Sequence, residues 1–246
     1  MKRLRKIFLI LLVCLSLIFG VISCAKPTMP PEEEQPKPEP PVPPEEVAIE
    51  PQPKVELFQN TLRFFRSKGA MAVYPDCLIG EVQNVGNAPA GNIKVTVTSY
   101  DDRGYIVAQK VTSPVWKPLL PGEKSPFVFW YHNFGSHYTL DVSWDSSTDV
   151  PSRGEGFKIL NFEISKDDYY GWWEPKGEVL NVSDKEDSVS FFLTFYDKQG
   201  RVLIYTSTMT GPLIPNQVTR FGFSLDPGNF GLSNDFEFSH YSLMIR

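Results

Sequence analysis

The chain has 246 residues, of which 41% are hydrophobic, and a formal net charge of −5 at pH 7. This length is sufficient for two ordinary domains. The acidic balance disfavours nucleic-acid binding, because phosphates are bound by a basic surface.

The N-terminus has the pattern of a secretory signal peptide. Residues 1–6 carry four cations, and an apolar run follows at residues 7–20. That run is shorter than the roughly 20 residues that cross a bilayer comfortably, which favours a signal peptide at residues 1–23. An uncleaved N-terminal membrane anchor is the alternative interpretation.

Residues 21–24, which read VISC, resemble a bacterial lipobox. In lipoproteins with this motif, the cysteine sulfur receives a diacylglyceryl group and the peptide is cut before the cysteine. The resemblance implies that Cys24 is the lipidated first residue of the mature protein, held on a membrane by its acyl chains. It also implies an exported bacterial protein, at the cell surface or in the periplasm.

Removal of residues 1–23 changes both the charge and the cysteine count. Lys and Arg fall from 24 to 20 against 29 Asp and Glu, which gives a net charge of −9. This charge also disfavours electrostatic binding to an anionic lipid surface. With Cys14 removed and Cys24 lipidated, only Cys77 remains, so no intrachain disulfide can form. We interpret Cys77 as an ordinary strand residue, because no neighbouring base or cation would activate its thiol.

Residues 24–54 form a Pro/Glu-rich segment. Proline removes backbone donors and the glutamates repel one another, so the segment cannot build a core. We predict a disordered, extended tether, which at roughly 3.1 Å per residue would reach up to ~90 Å from the lipid. A PxxP ligand for a partner is the alternative.

The rest of the sequence is an internal repeat. GEVQNV at 80–85 recurs as GEVLNV at 177–182, PLLP at 118–121 as PLIP at 212–215, and HYTL at 137–140 as HYSL at 240–243. Because the order of these segments is kept, the chain contains two copies of one domain. The first copy spans 55–144 and the second spans 157–246. Residues 145–156 have the composition of a linker.

Each copy alternates apolar and polar residues with a period of two. In the first copy the apolar residues are Ile93, Val95 and Val97, and in the second they are Val189, Phe191, Leu193 and Phe195. This alternation predicts strands with one buried face. The Tyr-Asp-x-x-Gly segments at 100–104 and 196–200 predict hairpin turns. We expect six or seven strands per copy, no helix, and an all-β fold of two antiparallel β-sandwiches.

The same turns and strands resemble the FxLYD domains, which are immunoglobulin-like modules of bacterial secreted and lipid-anchored proteins. The resemblance covers roughly residues 55–246, and the sequence motif that names the family is degraded. The matching positions are Gly80, Val82, Asn84, Tyr100, Asp101 and Gly104 in the first copy and Gly177, Val179, Asn181, Tyr196, Asp197 and Gly200 in the second. The resemblance implies two tandem immunoglobulin-like sandwiches and no catalytic activity.

The sequence shows no arrangement typical of a catalytic or metal site. His137 and His240 occupy the same repeat position, which a shared fold explains better than one active site. Asp101 and Asp197 belong to the predicted turns, and no loop has the alternating oxygen ligands of a calcium site. Asn181 fits a glycosylation sequon, but its counterpart Asn84 does not, so we interpret both as turn residues. We therefore predict no enzyme, no cofactor and no metal.

The tryptophans are the residues that the two copies do not share. Their positions are Trp116, Trp130, Trp144, Trp172 and Trp173. A large aromatic residue with a polar counterpart is expected at an interface or partly exposed. The densest group is Tyr169, Tyr170, Trp172 and Trp173. We predict that these four form a recognition surface for an envelope protein or glycan. The alternative is packing against the first copy or near Trp144.

Two functions remain open at this point. The first is a lipid-anchored, non-catalytic binding or adaptor module that recognises an envelope protein or glycan. The second is a structural spacer or scaffold component of an envelope complex. Binding predicts a localised exposed aromatic patch, whereas a spacer predicts aromatics buried between the copies.

Overall fold

A computed structural model describes residues 50–65, 76–131, 134–149, 154–169, 171–233 and 236–246. The predicted signal peptide, Cys24 and nearly all of the predicted tether lie outside this range. The last tether residues, Gln52–Lys54, hydrogen-bond to the turn at residues 85–87. The Gln52 N–H donates to Asn87 Oδ1 at 2.7 Å, and the Val85 N–H donates to the Lys54 carbonyl at 2.7 Å.

The first copy is an antiparallel sandwich of seven strands. They are β1 (Val55–Leu57), β2 (Arg63–Phe65), β3 (Asp76–Asn84), β4 (Ala90–Tyr100), β5 (Ile106–Thr112), β6 (Lys124–Tyr131) and β7 (His137–Ser146). Sheet A contains β1, β2, β3 and β6, and sheet B has the order β5-β4-β7. A short 3-10 turn, Gln59–Thr61, separates β1 from β2.

The second copy repeats this arrangement with six strands. They are β8 (Phe157–Lys166), β9 (Trp173–Asn181), β10 (Ser190–Tyr196), β11 (Val202–Met209), β12 (Val218–Gly222) and β13 (His240–Ile245). Sheet C has the order β12-β9-β8 and sheet D has the order β11-β10-β13. A 3-10 turn, Pro227–Phe230, follows β12. The predicted all-β sandwich fold and the predicted strand number are confirmed for the described residues.

Each sandwich buries the apolar positions that the sequence predicts. Ile93, Val95 and Val97 of β4 are fully buried against sheet A, and Phe191, Leu193 and Phe195 of β10 are fully buried against sheet C. Of the polar alternates of β4, Lys94 is exposed and Thr96 is half-buried, whereas Thr98 is buried. Burial of this kind supplies about 1.5–3 kcal/mol for each large apolar side chain.

The two sandwiches are joined face to face through sheets A and D. On β3, Leu78 and Val82 belong to the first core, whereas Cys77 and Ile79 belong to the cluster built around the second core. On β10, Phe192 packs with the first core although its neighbours Phe191 and Leu193 pack in the second. Strands β3 and β10 are therefore buried on both faces, a situation that period-two alternation does not predict.

Ring contacts and one ion pair extend this interface. Trp116 lies against Phe192 with ring centroids 5.1 Å apart, and Trp130 lies against Phe230 at 5.3 Å. At the chain end, Arg246 Nη2 donates to Glu123 Oε2 at 2.9 Å. Both of these charged side chains are largely buried, so the ion pair is screened little by solvent.

Candidate functional site

The predicted recognition residues lie at the hairpin between β8 and β9. The Asp167 N–H donates to the Trp172 carbonyl at 2.7 Å, and the Gly171 N–H donates back to the Asp167 carbonyl at 2.8 Å. Asp167 Oδ1 also accepts from the Tyr169 N–H at 3.0 Å. Gly171 has a φ of 68°, a conformation that favours glycine, so the tip has a defined turn geometry.

The structure exposes only part of the predicted recognition surface. Tyr169 is 85% exposed and Trp172 is 50% exposed, and we refer to these two residues as the hairpin tip. Trp173 instead turns into the second copy, where its Nε1–H donates to the Phe236 carbonyl at 2.8 Å. Its ring packs on Phe238 with centroids 5.0 Å apart. Tyr170 lies outside the described residues.

The other tryptophans have packing roles. Trp116 and Trp130 lie at the interface between the copies, as expected of aromatics that the two copies do not share. Trp144 packs on the first core, and its Nε1–H donates to the Pro53 carbonyl at 3.2 Å. The alternative for the predicted surface was packing against the first copy or near Trp144. Trp173 does neither of these in the contacts described above, because it packs on Phe236 and Phe238 of the second copy.

Asn84 and Asn181 hold the same turn in the two copies. Each side chain is fully buried. Asn84 Nδ2 donates to the Ala88 and Leu119 carbonyls at 2.8 and 2.9 Å, and Asn181 Nδ2 donates to the Lys185 and Leu213 carbonyls at 2.8 and 2.7 Å. The interpretation of both asparagines as turn residues is confirmed.

The paired histidines and aspartates also serve the fold. His137 stacks on Tyr100 at 5.1 Å, and His240 stacks on Tyr196 at 4.7 Å. Asp101 Oδ1 accepts from the backbone N–H groups of Arg103 and Tyr105, each at 2.9 Å. Asp197 Oδ1 makes the corresponding bonds in the second copy. Gly104 and Gly200 complete these turns with φ values of 83° and 77°.

Cys77 lies on β3 and is almost fully buried. Burial raises the pKa of its thiol to about 12, and the nearby charge of Arg63 offsets this only in part. A thiol with this pKa is a poor nucleophile at neutral pH. The interpretation of Cys77 as an ordinary strand residue is confirmed, although Arg63 of β2 is a nearby cation that the sequence pattern did not predict.

Glu81 is a buried carboxyl side chain at the interface that the sequence pattern did not predict. Its side chain is 1% exposed, and Tyr196 of the second copy donates its hydroxyl to Glu81 Oε1 at 2.7 Å. Burial raises the pKa of Glu81, opposed by the Tyr196 hydrogen bond and by the charge of Lys124. Burial and the nearby charge of Glu81 likewise raise the pKa of Tyr196. The sequence does contain a signal that β10, the strand of Tyr196, is covered on both faces. SFFLTFY at 190–196 is a nearly continuous apolar run, which is typical of strands buried on both faces.

The described residues contain no group of three or more His, Cys, Asp or Glu side chains that could hold a metal ion. Within the same residues, no helix has the length and apolar character needed to cross a membrane. No protein-family model matches the sequence, and a search of curated proteins gives no match. The FxLYD resemblance therefore stays a prediction from the residues that carry it.

Proposed function

We propose that this protein is a lipid-anchored, non-catalytic binding module of a bacterial cell envelope. In this proposal Cys24 attaches the protein to a membrane, residues 25–54 extend from it, and the hairpin tip recognises an envelope protein or glycan. The observation that supports recognition is the exposure of Tyr169 and Trp172 on a turn of defined geometry. Flat aromatic faces presented at low conformational cost suit a sugar ring or a protein hot spot.

The five tryptophans differ in their exposure. Trp116, Trp130, Trp144 and Trp173 each pack within the protein. Trp172 keeps half of its surface exposed, close in sequence to the still more exposed Tyr169. An exposed aromatic pair of this type lowers solubility, which favours a role in binding.

Photo-crosslinking in intact cells tests recognition by the tip. A photoreactive phenylalanine analogue is placed at position 172 and, as a matched control, at position 105. Tyr105 is also an exposed aromatic at a hairpin turn, with 69% exposure, but it lies between β4 and β5. We expect one discrete adduct from position 172 and none from position 105. Purified wild-type protein should compete for this adduct, and a Tyr169→Ala, Trp172→Ala version should not. Equal adducts from both positions, or none from 172, would contradict the proposal.

The anchoring part of the proposal has its own test. Wild-type protein and a Cys24→Ser variant are expressed in cells grown with a labelled fatty acid. We expect label and membrane association in the wild type, and neither in the variant. A labelled variant, or an unlabelled wild-type protein, would refute lipidation at Cys24.

A structural spacer is the second candidate. It is favoured by the face-to-face packing of sheets A and D, which joins the copies through buried aromatic and ionic contacts. In that case a Tyr169→Ala, Trp172→Ala version would replace the wild type in cells without loss of function.

A further inference from the structure

A cleft of about 370 Å³ lies between β2 of the first copy and the β10–β11 turn of the second copy. The described residues that line it include Arg63 from the first copy and Lys198, Arg201 and Phe238 from the second. Because neither copy alone supplies these walls, the cleft exists only in the packed pair. Its volume lies near the lower end of the range of small-ligand sites in proteins, roughly 300–1,000 Å³.

Charged side chains of both signs line the cleft, and the cations are in excess. Among the described residues, the three cations Arg63, Lys198 and Arg201 stand against the two acids Asp197 and Glu237, which leaves a formal charge of +1. The predicted mature chain as a whole has a net charge of −9. A local charge opposite in sign to that of the whole protein favours an anionic ligand at this place.

Lys198 and Arg201 are cations that a ligand can reach. Lys198 is exposed and makes no hydrogen bond or ion pair with a described residue. The Arg201 side chain is 45% exposed; its Nε donates to Asp197 Oδ2 at 2.7 Å and its Nη2 donates to Gln199 Oε1 at 3.4 Å. Its Nη1 makes no hydrogen bond within the described part of the chain, so it remains available as a donor.

Arg63 adds a half-buried cation without a carboxylate partner. Its guanidinium carbon lies 4.0 Å from the centroid of the Phe65 ring, and the group forms no ion pair with a described residue. Burial and the nearby charge of Arg201 lower the pKa of Arg63, and the charge of Asp197 opposes this with a smaller effect. The guanidinium therefore lies close enough to the 197–201 turn for its charge to act in the cleft, where repulsion from Arg201 exceeds attraction to Asp197.

The two cations of the turn are not part of the shared fold. In the first copy, Asp102 and Tyr105 stand at the positions that Lys198 and Arg201 occupy in the second. Both turns have the same backbone hydrogen bonds to their first aspartate, so the turn itself does not require cations. The presence of a lysine in place of an acid points to a role that only the second copy has.

Arg63 also differs from its counterpart in the other copy. It is paired in register with Ile79 of β3, and the corresponding residue of the second copy is Glu163, paired in register with Lys176 of β9. Glu163 forms an ion pair with Lys176 at 3.4 Å. Arg63 lies opposite an apolar residue instead, so its charge is not balanced within the sheet.

We propose that this cleft binds a single carboxylate group, which accepts hydrogen bonds from Arg201 and Lys198 and lies in the field of the Arg63 charge. One carboxylate balances the formal charge of the cleft, whereas a dianionic phosphate ester would exceed it. The half-buried side chains of Leu232 and Phe238 supply apolar wall for a short alkyl chain. The site shares no residue with the hairpin tip, so its failure and the failure of tip recognition are separate results.

The test uses the full chain with isotope-labelled arginine side chains for NMR and sodium butanoate as the probe, at constant ionic strength and neutral pH. We expect a saturable shift of the Arg201 Nε–H signal and no shift of Arg220, whose side chain is 89% exposed on sheet C. Butanamide has the same shape without the charge and should not saturate the signal, and inorganic phosphate should bind more weakly than butanoate. An unresponsive Arg201, equal responses to butanoate and butanamide, or tighter binding of phosphate would overturn the proposal.

Three variants identify the cations. Arg63→Gln should weaken butanoate binding about tenfold, and Lys198→Gln, at an exposed position, about threefold. Arg103→Gln, a change in the corresponding turn of the first copy, should leave the affinity unchanged. Thermal unfolding checks that the variants are folded, and the exposed Lys198 keeps the test independent of whether Arg63→Gln folds. Unchanged affinity in folded Arg63→Gln and Lys198→Gln, or an equal loss in Arg103→Gln, would refute the assignment.

A second probe distinguishes the source of the carboxylate. Nα-acetyl-L-glutamate N-methylamide presents the same group as a residue of a peptide. Saturable binding of this compound together with butanoate would assign the site to an acidic side chain of a partner. Binding of butanoate alone would assign it to a free carboxylic acid.

Discussion

Glu81 and Glu178 stand at the same position of two copies of one fold, yet their environments are opposite. Glu178 lies on the outer face of sheet C, with Arg220 and Asn161 as its partners. Glu81 lies on the outer face of sheet A, buried beneath the second copy and bonded to Tyr196. The backbone position is the same, so the difference comes from what covers each sheet.

The tyrosines of the two turns show the same divergence. Tyr100 lies on sheet B, where its hydroxyl is 3.4 Å from the Thr139 hydroxyl in an exposed setting. Tyr196 lies on sheet D, which packs on sheet A, and its hydroxyl is buried against Glu81. Residues that serve the common fold should therefore be equivalent in the two copies, and residues that serve the interface should not.

The largest effect is expected at the interface tryptophan. Trp116→Ala removes a ring that is 7% exposed and packs on Phe192, so we expect a loss of about 3–5 kcal/mol in the free energy of unfolding. Trp172→Ala, at the hairpin tip, should cost less than about 1 kcal/mol. Urea denaturation measures both values. A Trp172 cost equal to that of Trp116 would show that the tip is a packing element.

The buried asparagines test whether equivalent residues stabilise the two copies to the same extent. Asn84→Ala and Asn181→Ala each remove side-chain hydrogen bonds to two carbonyls, at least one of which is buried, and we expect about 2–3 kcal/mol for each. The same denaturation experiment checks the two variants side by side. A cost in one copy and none in the other would break the assignment of these residues to the shared fold.

The paired tyrosines test whether residues at the same repeat position differ in their contribution to stability when only one of them lies at the interface. Tyr196→Phe leaves both oxygens of Glu81 without a hydrogen-bond donor, which should destabilise the protein by about 2 kcal/mol. Tyr100→Phe is the matched change in the first copy and should stay within about 0.5 kcal/mol. Equal costs in the two variants would contradict the asymmetry of the two sheets.

The pH dependence of the free energy of unfolding reports on the raised pKa of Glu81. Burial raises the pKa of Glu81 in the folded protein above its ordinary value near 4.5. The folded state then holds this proton more tightly than the unfolded state, so this group lowers stability as pH rises from about 4.5 through the raised pKa. The free energy of unfolding of Glu81→Gln should therefore increase relative to that of the wild type as pH rises across that window. A constant difference over the same pH range would exclude the raised pKa.

The local sequence pattern was sufficient to predict the strands and turns of each copy. Turn chemistry located the Asp101 and Asp197 hairpins, and the repeat identified Asn84 and Asn181, because these features depend on residues close in sequence. Period-two alternation found the inner faces of β4 and β10. Each of these predictions depends on interactions within one copy.

The interface could not be predicted in the same way, because it depends on two sheets that are distant in sequence. Alternation assigns Phe192 and Tyr196 to solvent, and only the packing of sheet D on sheet A buries them. The aromatics that the copies do not share gave a partial signal for Trp116 and Trp130. The role of Trp173 was missed because its partners, Phe236 and Phe238, lie about 60 residues further along the chain.

Native-state hydrogen exchange on the full chain tests whether the two copies form one cooperative body through sheets A and D. Backbone amides of β3 and β10 report the opening free energy of the first and second copies separately. We expect similar opening free energies in the two strands, and a Trp116→Ala change in the first copy should lower both by the same amount. If Trp116→Ala weakens protection in β3 and leaves β10 at its wild-type value, the two copies unfold as independent domains, and the contact between sheets A and D does not couple them.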